Sequence, residues 1–170
     1  MTENTSEESN TGVIRLNHAE EFVENSVLML KPVIRTIHIL APKLELGWLG
    51  NTELTEQLKL SIIKNRRVQV KLITTDPTEA LRINHPLIPL VRKLSRFEAR
   101  VIPTEILDKQ PLKKYFLLVD RQGVVVNQLL NEYVGFAHFE DKHTVKTLTG
   151  EFDQFWRLGV EHADLRHVYM

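Results

Sequence analysis

The segment NTELTEQLKLSIIKNRR, residues 51–67, constrains the fold most, because it is a one-sided helical pattern lying between two strand patterns. Leu54, Leu58 and Ile62 recur every four residues, and basic residues close the last turn. Ahead of it, RTIHILAP (35–42) alternates Ile37 and Ile39, and LELGWLGN supplies a glycine-bearing loop. Behind it, VQVKLITTD sets Val68, Val70 and Leu72 alternately with polar side chains. Two strands joined through a helix form a crossover unit, which places them parallel in one sheet.

The flanking chain extends that unit. Asn17 with Glu20 gives an N-cap signature for a helix over 17–31 with Phe22, Val23, Val27 and Leu30 on one face, ended by Pro32. Asp76, Pro77 and Glu79 form a second helix start, and Pro86 and Pro89 break or restart that segment near His85. FEARVIPT is a third strand. KYFLLVDRQGVVVN contributes two more around a tight turn at Asp120 to Gly123. The last helix uses Val145, Leu148, Phe152, Phe155 and Trp156, with Asp141 as its cap, Gly159 as its terminator and Gly150 weakening its middle. This order predicts an α/β domain: a mostly parallel central sheet with antiparallel hairpin additions and helices on both faces. Loops after Leu40, Thr75 and Ile102 would then converge on a ligand space at the strand ends.

At 170 residues the chain suits one domain, expected over 13–170 behind a polar, acidic, disordered tail over 1–12. The tail has no apolar run for a secretory signal, and no apolar stretch reaches membrane-spanning length, so a cytoplasmic protein without a membrane span is expected. Twenty-two basic residues balance 22 acidic ones, which disfavours nucleic acid as a partner of the whole molecule while leaving a local basic patch open. No cysteine is present, so thiol nucleophiles, disulfides and thiolate metal sites are excluded.

No phosphate loop, His-Glu-x-x-His pair or Gly-x-Ser-x-Gly elbow occurs. The seven histidines make no compact ligand pattern, and neither a metal nor a cofactor is expected; His138, Asp141 and His143 read equally well as metal contacts or as a solvated start to the last helix. His85, at an irregular point and followed by Arg92 and Lys93, reads either as a packing histidine or as part of an anion-binding edge. The basic set Arg66, Arg67, Arg92, Lys93, Arg96 and Arg100 reads as a patch or as ordinary solvated helix ends. Arg35 and His38 fall on opposite faces of their strand. Trp48 reads as core, pocket cap or interface, and Tyr133, Phe136 and Phe139 around Gly135 fold onto the domain or onto a second subunit.

Taken together, RTIHILAP, VQVKLITTDPTEALRINHPLIPLVRKLSR, KYFLLVDRQGVVV, YVGFAHFED and the ending EFDQFWRLGVEHADLRHVYM resemble a single phospholipase D-like domain, in particular small bacterial members of unknown function. The resemblance implies a histidine, one residue, a lysine, four residues and an aspartate, with histidine as nucleophile and lysine holding phosphoryl oxygens. Set on Asp120, that pattern falls on Lys113 in place of histidine and Tyr115 in place of lysine. Asp120 then reads as a turn former beside Gly123. The expectation is a non-catalytic domain with a degenerate active site, used for binding, regulation or assembly and recognising a phosphate-containing ligand. His85, Arg92, Lys93 and Arg35 are its anion-site candidates, and the superfamily resemblance implies a homodimer. A phosphodiesterase or nuclease with a displaced site, and a pure protein-interaction module, are the alternatives.

Overall fold

A computed structural model describes residues 12–168. The tail expected over 1–12 lies outside the described residues except for Gly12. Strand β1 (Ile14–Leu16) leads to helix α1 (Ala19–Leu30), then β2 (Thr36–Leu40), α2 (Thr52–Lys64) and β3 (Gln69–Thr74). The broken segment is two short helices, α3 (Thr78–Arg82) and α4 (Leu87–Lys93), followed by β4 (Phe97–Val101) and α5 (Thr104–Lys109). A meander of β5 (Tyr115–Val119), β6 (Gly123–Asn127) and β7 (Gly135–His138) precedes the long helix α6 (Lys142–Leu158) and a 3-10 turn over Ala163–Leu165.

The seven strands form one sheet in the order β1-β7-β6-β5-β2-β3-β4. Only β2·β3 and β3·β4 are parallel; β2·β5, β5·β6, β6·β7 and β1·β7 are antiparallel. The expected mostly parallel sheet is therefore corrected to a mixed, predominantly antiparallel one. The reason is physical: only α2 and the α3–α4 pair join neighbouring strands as parallel crossovers, whereas β5 enters beside β2 running the other way and the later connections from β5 to β6 and from β6 to β7 are short reversals. Two of the antiparallel strands, β1 and β7, escape a pattern search because three or four residues carry little alternation.

Helices do cover both faces. Phe22, Leu30, Leu58, Ile62 and Val91 pack on Ile37, Ile39, Val70, Leu72 and Leu117, and on the other side Val145, Leu148, Phe152 and Trp156 of α6 pack on Leu40, Ile73, Phe116, Leu118 and Val126. Strand β5 is buried throughout because the two cores alternate along it, Phe116 and Leu118 facing α6 while Tyr115, Leu117 and Val119 face α1. Among the described residues no helix is long and apolar enough to cross a membrane.

Local chemistry explains the helix ends. Asn51 caps α2 by accepting from the N–H of Glu53 and Leu54, and Asp141 caps α6 by accepting from Thr144. At α1 the cap position is His18, one residue beyond Asn17, and the carboxylate of Glu21 takes the Asn17 N–H instead. Helix α3 lasts five residues: Asp76 accepts from the Thr78 N–H and hydroxyl, and the chain leaves the helix at Asn84, whose φ is +55°.

Candidate functional site

The parallel strands β2 and β3 end at the edge where β5 begins and β6 meets β7, since Leu40 pairs with Phe116 and Asn127 with Gly135. A cavity of about 230 Å³ opens there, lined by Lys43, Glu45, Tyr115, Asn127, Glu132 and Tyr133 among others. Its organising group is the Glu45 carboxylate. One oxygen accepts from the Gly47 N–H and the Tyr133 hydroxyl, and the other accepts from the Trp48 N–H at 3.2 Å. Desolvation, and then that bond to Glu45, push the Tyr133 hydroxyl well above the usual phenol range. Burial, followed by the charge of Glu45, raises Tyr115 as well, against a smaller opposing effect from the Lys43 backbone. Both phenols therefore stay neutral at pH 7 and serve as hydrogen-bonding groups.

The loop sequence LELGWLGN suits this geometry. A Cβ at Gly47 would lie 2.2 Å from the Tyr133 hydroxyl oxygen, and one at Gly50 would lie 2.8 Å from the Leu46 Cα and 2.9 Å from the His85 Nε2, so glycine permits both approaches. Trp48 is fully buried; its indole N–H donates to the Ser26 hydroxyl at 2.9 Å and its ring meets Phe22 at 5.0 Å. It is core, holding the loop down. Tyr133 lies against Phe22 at 5.6 Å, and Phe136 and Phe139 pack on the two cores of the same domain.

His85 lies beneath this loop with no exposed surface. The Leu87 N–H donates to its Nδ1 at 3.1 Å, which leaves Nε2 to donate to the Glu45 carbonyl at 2.9 Å. Both ring nitrogens are thus engaged in the neutral tautomer, and burial holds the pKa below the ordinary histidine value. His85 positions the Glu45 loop from below.

The other anion-site candidates lie elsewhere. Lys93 is exposed at the far end of α4, leading to the start of β4, and the Arg92 Nε donates to the Asp164 carbonyl at 3.0 Å. Arg35 is exposed ahead of β2, at the opposite edge from Glu45, beside Asp120 and Arg121. The fold does not gather His85, Arg92, Lys93 and Arg35 into one site. Of the wider basic set, Arg96 donates to the carbonyls of Ile62, Asn65 and Val68 at the end of α2, and Arg100 donates to the Trp156 carbonyl while its guanidinium lies 4.3 Å from the Trp156 ring. Arg66 and Arg67 remain exposed.

The pattern positions of the resemblance are equally plain. Lys113 is exposed ahead of β5, Tyr115 is buried at its first residue, and Lys114 faces the other way to pair with Glu151 at 3.1 Å. Asp120 lies at the opposite end of β5. Its carboxylate accepts from the N–H of Ile34, Arg35 and Thr36 at 2.8, 2.8 and 3.0 Å, and its own N–H donates to the Thr36 carbonyl at 2.9 Å. Asp120 and Arg121 both have positive φ, at 53° and 63°, so this aspartate forms the hairpin turn and also ties it to the start of β2. Among the described residues no three His, Asp or Glu side chains are grouped to hold a metal ion.

Sequence reasoning singled out the glycine loop, Tyr133 and His85 separately. Nothing in the sequence joins Glu45 to Tyr133, 88 residues away, because their meeting depends on β5 lying beside β2.

No curated protein matches the sequence. Among solved structures, the archaeal chromatin protein TrmBL2, whose structure shows a novel mode of DNA binding, matches with a TM-score of 0.64 at 15% identity over 88% of this chain and 54% of that one, so the chain spans about half its length. NucT from Helicobacter pylori matches with a TM-score of 0.60 at 12% identity, covering 85% and 92% of the two chains. Nuc from Salmonella typhimurium, a phospholipase D family member, matches with a TM-score of 0.57 at 11% identity, covering 81% and 88%. These likenesses show that the chain shares its fold with these three proteins. A family model covering residues 18–168 also matches, and the chain belongs to that family, described as Domain of unknown function (DUF7931).

Proposed function

We propose that the chain is a non-catalytic phospholipase D-like domain, used for binding, regulation or assembly and recognising a phosphate-containing ligand. One observation carries this reading: the strand-end cavity is organised by the Glu45 carboxylate and two neutral phenols, with Tyr115 at the lysine position and exposed Lys113 at the histidine position. Phosphoryl transfer needs a nucleophile and cations that stabilise developing negative charge. A carboxylate at the centre of the cavity disfavours an approaching phosphoryl group, and lysine cannot replace the histidine nucleophile while protonated. His85 adds support, since both its ring nitrogens are engaged below the loop. Phosphate recognition in this reading uses cations away from the strand-end cavity.

The test is turnover. With bis(p-nitrophenyl) phosphate and a labelled single-stranded oligonucleotide as substrates, the purified protein should release no product above buffer, with or without added divalent ions. Product formation abolished by Tyr115→Phe or Lys113→Ala would overturn the reading and favour a displaced-site phosphodiesterase. A homodimer is part of the proposal; light scattering at micromolar protein should give twice the chain mass, and a monomer would remove that part.

A further inference from the structure

A second concave region lies on the other side of the sheet and at its opposite edge. Alternation along β2 and β3 points Thr36 and His38, with Gln69 and Lys71, toward α6, and the register pairs Thr36 with Gln69 and His38 with Lys71. These polar residues share the face that is apolar further along, where Leu40 pairs with Ile73. A cleft of about 280 Å³ results, lined by Thr36, His38, Gln69, Lys71, Arg121 and Asp153 among others. Thr36 and Arg121 also line an adjoining cavity of about 300 Å³ with Arg35 and Asp120, so this part of the surface is grooved on both sides of Thr36 and Arg121.

Three cations line this groove against two acids. Lys71 and Arg121 form no salt bridge among the described residues, and Arg35 adds a third cation at the mouth. Of the two acids, Asp120 already accepts from three backbone N–H groups, which leaves Asp153 on α6 as the opposing charge. Two side chains are fixed in place: the His38 ring stacks on Phe152 at 4.5 Å and 4°, and the Lys71 Nζ lies 5.0 Å from the Trp156 ring centroid. Thr36, Gln69 and Thr149 supply neutral donors. Cations backed by hydroxyl and amide donors in a partly enclosed cleft match the oxygens of a phosphoryl group.

We propose that this cleft binds the phosphoryl group of a small phosphate-bearing ligand, with Lys71 and Arg121 as its cations and Thr36 and Gln69 as neutral donors. The inference deepens the phosphate-binding reading and rests on it, naming the place as the α6 side of β2 and β3. The local field supports it: His38 is lowered to about 4, first by burial, then by Lys71 and also by Arg121, with Asp153 opposing. An anion seated here offsets both cations and raises the His38 pKa, so ligand binding takes up protons in weakly acidic solution.

The experiment uses the full chain, with inorganic phosphate, adenosine monophosphate and a phosphodiester oligonucleotide as separate probes. Binding is followed by calorimetry, and the His38 ring is titrated by NMR with and without phosphate. Phosphate and the nucleotide should bind, and His38 should titrate higher in their presence. Arg121→Asn, at a turn position where asparagine tolerates positive φ, and Lys71→Met should each weaken binding by about tenfold or more, while Asp153→Asn at an exposed position should tighten it. Binding unchanged in both cation variants, or seen for the oligonucleotide alone without a shift at His38, would overturn the cleft while leaving phosphate recognition elsewhere intact. Failure of every probe to bind at millimolar concentration would remove the cleft and phosphate recognition together. Turnover of the diester would instead refute the non-catalytic reading.

Discussion

Replacing Asp120 separates a structural aspartate from a catalytic one. Its carboxylate collects three backbone N–H groups 84 to 86 residues away in sequence, with Oδ1 serving Arg35 and Thr36 and Oδ2 serving Ile34. Hydrogen bonds to a charged acceptor contribute roughly 1.5–3 kcal/mol each, but these are only partly shielded from water and share one acceptor, so their simple sum overstates the effect. Asp120→Ala should cost about 2–4 kcal/mol, including roughly 1 kcal/mol because alanine tolerates the +53° φ poorly. Asp120→Asn keeps the left-handed preference but turns an amide N–H toward the Ile34 N–H or its neighbours, and should cost about 1–3 kcal/mol. At about 2–4 °C per kcal/mol for a chain of this size, both variants should melt several degrees lower. The decisive assay is a urea titration with near-constant slope and a lower midpoint for both variants, alanine below asparagine. Midpoints within about 0.5 kcal/mol of the parent would refute the assignment of this carboxylate to the turn and the start of β2.

His85→Ala should lower stability by about 3 kcal/mol, because it opens a cavity and strands the Leu87 N–H and the Glu45 carbonyl; an unchanged urea midpoint would disprove the positioning role. For His38, a folded pKa of about 4 against 6.5 means the neutral form is favoured in the fold, so its contribution is complete above pH 6.5 and is lost as pH falls toward 4. At 1.36 kcal/mol per pH unit the loss approaches roughly 3 kcal/mol as an upper bound, and His38→Gln should flatten that part of the stability-versus-pH curve; parallel curves for parent and variant would contradict it. Asp141→Ala should cost about 1 kcal/mol of α6 stability by removing the cap on Thr144, measured by thermal melting at pH 7. Thr144 also holds the Asp141 pKa below the usual carboxylate range, first through its hydroxyl and then through its N–H, so this cap should weaken as pH falls through that lowered value.

The elements that local chemistry encodes were legible. Four-residue spacing found α2, the Asp141 cap found the start of α6, and paired prolines marked the break at His85. The sheet's direction was not legible, because whether β5 lies parallel or antiparallel to β2 is decided by the return path after α5 and by burial on both faces. The same pairing decides the sites. Glu45 meets Tyr133, Asp120 meets Arg35, and His38 meets Lys71 only after distant strands align. One signal was available: His38 and Lys71 each interrupt an apolar strand run, IHI and VKL, at positions that register brings side by side. His85 stood out for its irregular surroundings, and the irregularity reflects two backbone bonds from one buried ring.

The short first strand carries a kinetic consequence. Pairing Leu16 with Gly135 closes a loop of about 120 residues, and this ladder is only three residues long. Its gain comes chiefly from Leu16, which is 1% exposed. Such an element is expected to join the sheet after the β5–β6–β7 meander has formed and to leave it first on unfolding. While it is away, β7 presents an unpaired edge, and this interval is when a second chain could add there by strand exchange.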